Sequence, residues 1–195
     1  MKIIPLFPCL LLLGLPVAAL AQDRTFIEGQ IERWTNDVRR NPNDFETLAA
    51  IGSAYGKLGR HDKAIEYFKK AVAVNPSYAE AYLGMAASYG FLGRLDDKIW
   101  ACKKAVALKP NDALAYANLG SALGKVGKYK DSAEALEQAV RLKPDFAEAH
   151  FALGLAYVSL GNRNFAMKQL EILRGLNPPR AKELETLIGN GSAGR

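Results

Sequence analysis

Apolar residues recur along this chain at spacings of three and four, in short runs broken alternately by glycine and by proline. Phe45, Leu48, Ile51 and Tyr55 mark one face of a helix, and Ala64, Ile65, Phe68, Ala71 and Val72 mark a second. Leu58-Gly59-Arg60 separates the two runs, where glycine supplies the backbone freedom a helix exit needs. Asn75-Pro76 ends the second run, because the residue before proline is pushed out of the helical region. The pattern predicts two antiparallel helices.

The same arrangement then repeats. Pro42, Pro76, Pro110, Pro144 and Pro178 are each 34 residues from the last, a period that signals one structural unit used several times. Four full units follow, 45–78, 79–112, 113–146 and 147–180. The glycine turn returns as Leu92-Gly93-Arg94, Val126-Gly127-Lys128 and Leu160-Gly161-Asn162. Small residues return where paired helices must approach: Gly52, Ala86, Gly120 and Gly154 in the first helix, Ala64, Ser132 and Ala166 in the second. Ahead of the units, Ile27, Ile31, Trp34 and Val38 form one stripe over Thr25 to Arg40, which predicts a capping helix within 22–44. Behind them, Ala181, Leu184, Leu187 and Ile188 predict a last short helix within 181–195, with a flexible tail from Gly189.

With Leu48-x2-Ile51-Gly52-x2-Tyr55, then Ala64-x3-Phe68, Ala71 and Pro76, the unit resembles the tetratricopeptide repeat, and the resemblance covers 45–180. It implies an all-α, right-handed superhelical solenoid of antiparallel helix pairs whose concave wall is built from the first helices. It also implies that the second, fifth, sixth, ninth, twelfth and thirteenth residues of each unit face the groove. Among those, Ser53, Leu83, Ala87, Phe91, Asn118, Ser121, Phe151 and Leu155 are the candidate peptide-binding residues. Family members that clamp the C-terminal carboxylate of heat-shock chaperones use lysine, arginine and asparagine at such positions. Here Asn118 is the residue that could match that set, without the cations expected around it, so the clamp is not expected. The wall suits an extended or helical segment with small apolar side chains, seated on Leu83, Phe91, Phe151 and Leu155, with Asn118 as a polar anchor.

Four residues depart from the frame. Lys98 fills the small-residue slot of unit two, where its stem must lie along apolar surface with its head reaching water. Leu173 replaces an alanine, which predicts different packing toward the C-terminus. Phe91 is a large side chain on the predicted groove wall. Trp100 stands where the other units have Glu66, Glu134 and Lys168, hence on the outer face. It is a candidate convex-face contact, or a ring lying over a neighbouring lysine stem.

Composition changes the picture at the N-terminus. Lys2, the apolar run Leu10 to Leu20 and Ala19-Leu20-Ala21 before Gln22 predict a cleavable secretory signal at 1–21, and with it a bacterial periplasmic or cell-surface location. Pro5, Pro8 and Pro16 interrupt the run, which argues against a membrane anchor, and Cys9 lies too early for a lipid-attachment site. Without the signal, Cys102 is the single cysteine and no internal disulfide can form. Asn190-Gly191-Ser192 would accept a glycan only on a eukaryotic secretory route.

The formal charge is +6, and +5 once Lys2 is lost. The lysine pairs Lys69-Lys70 and Lys103-Lys104 recur on second helices and read as a solvated face, so no nucleic-acid partner is expected. The two histidines, His61 and His150, occupy unrelated positions in their units. No catalytic constellation, metal or cofactor is therefore expected. The function expected is an exported, non-catalytic scaffold that binds a protein or peptide in its groove. The alternative is an accessory subunit of a membrane-associated or extracellular complex, docked through its convex face or ends.

Overall fold

The computed structural model describes residues 17–190; residues 1–16 of the predicted signal and 191–195 of the predicted tail lie outside the described residues. The described chain forms α1 (Val17–Arg40), α2 (Phe45–Lys57), α3 (His61–Val74), α4 (Ala79–Phe91), α5 (Leu95–Leu108), α6 (Ala113–Lys125), α7 (Tyr129–Leu142), α8 (Ala147–Ser159), α9 (Arg163–Leu176) and α10 (Pro178–Asn190), with no strand among the described residues. It is an all-helical solenoid of antiparallel pairs.

Each pair is joined by one glycine turn. Gly59, Gly93, Gly127 and Gly161 have φ of 72°, 71°, 78° and 74°, a left-handed conformation that side chains with a Cβ adopt at a penalty. The residue after each glycine donates its backbone N–H back to the first helix: Arg60 to the Tyr55 carbonyl at 2.9 Å, Arg94 to Tyr89 at 2.9 Å, Lys128 to Leu123 at 3.0 Å and Asn162 to Tyr157 at 2.8 Å. These bonds satisfy carbonyls that a helix end otherwise leaves open.

Successive first helices touch one another, α2 with α4, α4 with α6 and α6 with α8, whereas successive second helices do not. An array whose first helices crowd while its second helices splay must curve with the first helices inside. That curvature makes the concave wall.

The interior runs along the array. Ile51, Met85, Leu136, Leu153 and Leu170 are fully buried in it, and a side chain of that size contributes about 1.5–3 kcal/mol on burial. Close approach is fixed by glycine at two places within pairs: a Cβ on Gly52 would lie 3.0 Å from the Phe68 ring, and one on Gly120 would lie 2.5 Å from Leu136 and 3.0 Å from the Ser132 carbonyl oxygen. Ser132 is buried and donates its hydroxyl to the Gly120 carbonyl at 2.7 Å. The second helix is thereby pinned to the first where the two backbones come closest.

The ends differ from the sequence expectation. Helix α1 begins at Val17, ahead of the stripe that predicted it, and packs Ile31 against Ile51 and Ala54 of α2. Arg60 in the first glycine turn ties back to Glu28 of α1 at 2.8 Å. At the other end, Pro178 opens α10 instead of sitting in a turn as Pro42, Pro76, Pro110 and Pro144 do. Proline suits a first helical position because its missing N–H has no partner there anyway. Asn177 accepts from the Arg180 N–H at 3.2 Å, so one residue ends α9 and caps α10.

The consequence is that Gly154 approaches α10 rather than its paired helix, a Cβ there lying 2.5 Å from Leu184. Leu173, the alanine replacement, is fully buried in the same cluster as Leu184 and Ile188. Arg163 donates to the Ile188 carbonyl at 2.7 Å, fastening the far end of α10. Gly189 and Asn190, expected in a flexible tail, are the last residues of α10.

Candidate binding groove

The concave wall carries two recesses. The first, of about 230 Å³, lies between α2 and α4 and is lined by Ser53, Gly56, His61, Phe68, Gly84, Ala87, Ser88 and Phe91. Its size follows from glycine: a Cβ on Gly84 would fall 2.3 Å from the Phe68 ring, so the ring of one unit fills the space left by the next. Phe91, 77% exposed, lies flat on His61 with ring centroids 4.4 Å apart and 6° between planes. The Nδ1 atom of His61 is buried without a hydrogen-bond partner among the described residues.

The second recess, about 670 Å³, lies between α6 and α8 and is closed on one side by α10. Ser121, Gly124 and Lys125 of α6 face Phe151, Ala152, Leu155 and Val158 of α8, while Arg180 and Leu187 of α10 complete the wall. Arg180 stacks on the Phe151 ring at 4.7 Å and pairs with Glu183 at 2.8 Å. Tyr129 and Ser132 enter from the start of α7.

Six of the eight residues read from the sequence therefore line a recess: Ser53, Ala87 and Phe91 the first, Ser121, Phe151 and Leu155 the second. Leu83 lines neither, being partly buried against the interior cluster that holds Phe68 and Met85. Asn118 is half-buried and also lines neither. Sequence reasoning missed His61, Arg180, Leu187 and Tyr129. His61 opens α3 just after the glycine turn, outside the apolar stripe, and the α10 pair depends on the early start at Pro178, for which the doubled Pro178-Pro179 after Asn177 is the available signal.

Lys98, in α5, lines neither recess. Its side chain runs over Gly90, with Nζ 3.3 Å from where a Cβ on that glycine would stand. The equivalent pair one unit later is Ser132 over Gly124, and both of those line the second recess. Burial lowers the affinity of the Lys98 ammonium for its proton, and Lys125 adds to that effect, while Cys102 opposes it. Cys102 itself is fully buried in α5, and burial pushes its thiol up to about 11, with Lys98 pulling the other way.

Trp100 is 45% exposed and meets the Tyr82 ring of its own unit edge-on, with ring centroids 5.9 Å apart. Lys69, Lys70, Lys103 and Lys104 are exposed, and Lys70 pairs with Glu66 at 2.6 Å. His150 is buried between Gln169 Oε1 at 2.7 Å from Nδ1 and the Pro144 carbonyl at 2.8 Å from Nε2, bracing unit four internally and against the end of unit three. Among the described residues no three His, Cys, Asp or Glu side chains are grouped so as to hold a metal ion, and no helix is long and apolar enough to cross a membrane.

Family models described as tetratricopeptide repeat match residues 45–78 and 101–134, and one described as TPR repeat matches 125–161. The chain is a tetratricopeptide-repeat protein. Among solved structures, this repeat protein is similar to MamA, with 29% identity, a TM-score of 0.75, and 85% of this chain and 97% of that one covered. It shares its fold with YrrB, described as a TPR protein with an unusual peptide-binding site, at 18% identity and a TM-score of 0.74 over 87% of this chain and 88% of that one. It is also similar to the first TPR of Spaghetti (RPAP3), solved with the HSP90 peptide SRMEEVD, at 26% identity and a TM-score of 0.59 over 60% of this chain and 93% of that one. No curated protein sequence matches the repeat protein.

Proposed function

We propose that this repeat protein is an exported, non-catalytic scaffold that binds a peptide segment of a partner protein along its concave wall. The observation that carries the reading is the pair of recesses between first helices, with apolar side chains and small-residue floors at positions where an extended chain can lay alternate side chains. The peptide-bound RPAP3 repeat supports it as a likeness. Export is supported by the sequence of residues 1–21, and cleavage before Gln22 would leave Ile27, Ile31, Trp34 and Val38 in place on α2. Intact-mass measurement of the protein from its host would show a chain beginning at Gln22; a chain retaining Met1 or Lys2 would remove export by cleavage.

Random-peptide display against the purified repeat protein tests groove binding. Binders are expected whose affinity drops at least about tenfold on Phe91→Ala with Phe151→Ala, as for loss of two interface anchors. Binders indifferent to that double change would sink the groove reading. The half-exposed Trp100 on Tyr82 favours a second reading, permanent docking through the convex face. Gel filtration of solubilised host envelope separates them, since a permanent subunit co-migrates with one large complex.

A further inference from the structure

The groove floor is apolar or small at one repeated position except in unit two. That position, twenty residues into each unit, holds Ala64, Lys98, Ser132 and Ala166. In unit one Ala64 lies against Gly56, which lines the first recess, and in unit three Ser132 lies against Gly124 in the second. Lys98 lies against Gly90 in the same way, at the equivalent position of the unit that stands between those two.

No acid answers it. Lys98 makes no ion pair or side-chain hydrogen bond among the described residues. The acid on the second recess wall, Glu148, pairs with neither Lys98 nor Lys125. On the same helices, Glu80 is engaged by Lys109 and Asp97 by Arg94 at 2.7 Å. After burial and the Cys102 thiol, the charge that acts on Lys98 is a second cation, Lys125, which lines the second recess. A half-buried ammonium without an acid partner, with alanine used at two of its three equivalents, is a poor choice for stability alone. It is a good one for receiving an anion.

We propose that Lys98, with Lys125, receives the side-chain carboxylate of an aspartate or glutamate inside the bound segment, whose flanking apolar side chains occupy the recesses on either side. The proposal rests on the groove-binding reading above and names its chemistry. Charge complementarity selects an acid. The two recesses select an internal side chain over a chain end, because a terminal carboxylate at Lys98 would leave one recess without ligand. Of the two cations, Lys98 stands on a second helix, α5, and Lys125 at the end of a first helix, α6.

The test selects random dodecamers in two formats, one between fixed Gly-Ser flanks and one ending in a free carboxylate, against the full chain, Lys98→Ala and Lys98→Glu. Alanine is already the residue of units one and four, so Lys98→Ala is expected to fold, which circular dichroism checks. The wild-type protein should enrich Asp or Glu at one internal position with apolar neighbours, Lys98→Ala should lose that enrichment, and Lys98→Glu should select Lys or Arg there. A selected peptide should bind Lys98→Ala roughly tenfold to a hundredfold more weakly, the range for losing a hydrogen bond to a charged group. Changing its Glu to Gln should weaken wild type and leave Lys98→Ala unmoved. Binders without an acid, or an acid preference that survives Lys98→Ala, overturn the assignment while groove binding stands. Acid dependence confined to the free-carboxylate format overturns the internal side chain in favour of a chain end. No binders in either format removes groove binding and this inference together.

Discussion

At residue scale the buried groups set the measurable behaviour. Cys102 is sealed in α5 with its thiol pushed up to about 11, so in a chain beginning at Gln22, which lacks Cys9, a thiol reagent at pH 8 should find no reactive thiolate in the folded state and one full equivalent after urea. Native-state labelling at the rate of a free thiol would show that α5 opens. The sign of the linkage follows: an unfolded thiol ionises above about pH 8.5 while the folded one stays protonated, so stability should fall as pH rises from there toward 11. Asp44 caps α2, accepting from the Thr47 N–H at 3.0 Å, and this bond, then the one from the Thr47 hydroxyl, holds its carboxyl below the ordinary aspartate value. Asp44→Ala should cost about 1 kcal/mol in urea melts near neutral pH. That difference is complete above about pH 4 and should shrink as pH falls through the lowered value.

At the scale of the helix pair, the glycines divide into two kinds that melting temperatures can tell apart. Gly120→Ala meets Leu136 and the Ser132 backbone carbonyl, so it should destabilise by about 1–3 kcal/mol. Gly29→Ala, inside α1 with nothing within 4 Å, should stabilise by roughly 0.5–1 kcal/mol. Equal effects would mean that the pair does not close on Gly120. This scale was the most legible from the chain. Glycine after each first helix, proline after each second and apolar residues at three and four between them are local instructions. Repetition reads the same instruction four times, so an irregular residue such as Lys98 stands out against its equivalents. What repetition does not carry is a contact between unlike positions. The Phe91 ring on His61 and the entry of Arg180 into a recess depend on side-chain directions across neighbouring units, and no period encodes them.

For the whole molecule, the end helix governs more than solubility. Leu184 is fully buried against α8 and α9, so Leu184→Ala should cost about 2–5 kcal/mol by leaving a cavity and should also loosen the second recess, whose wall α10 supplies. Thermal melts would show the first effect. Weaker capture of a groove peptide with the isolated first recess unaffected would show the second. The sequence predicts a last helix within 181–195 and the helix runs from Pro178 to Asn190, because Pro178 keeps the 34-residue period of the four turn prolines but opens a helix where they sit in a two-residue turn.

That three-residue advance also bears on how such an array can lengthen. A unit duplicated ahead of α8 would meet neighbours of its own kind and extend the wall. One added between α9 and α10 would part Gly154 from Leu184 and take Arg180 and Leu187 away from the site they line. Growth by tandem duplication is therefore open in the interior and closed at this end, and units α8 to α10 would be inherited as one block.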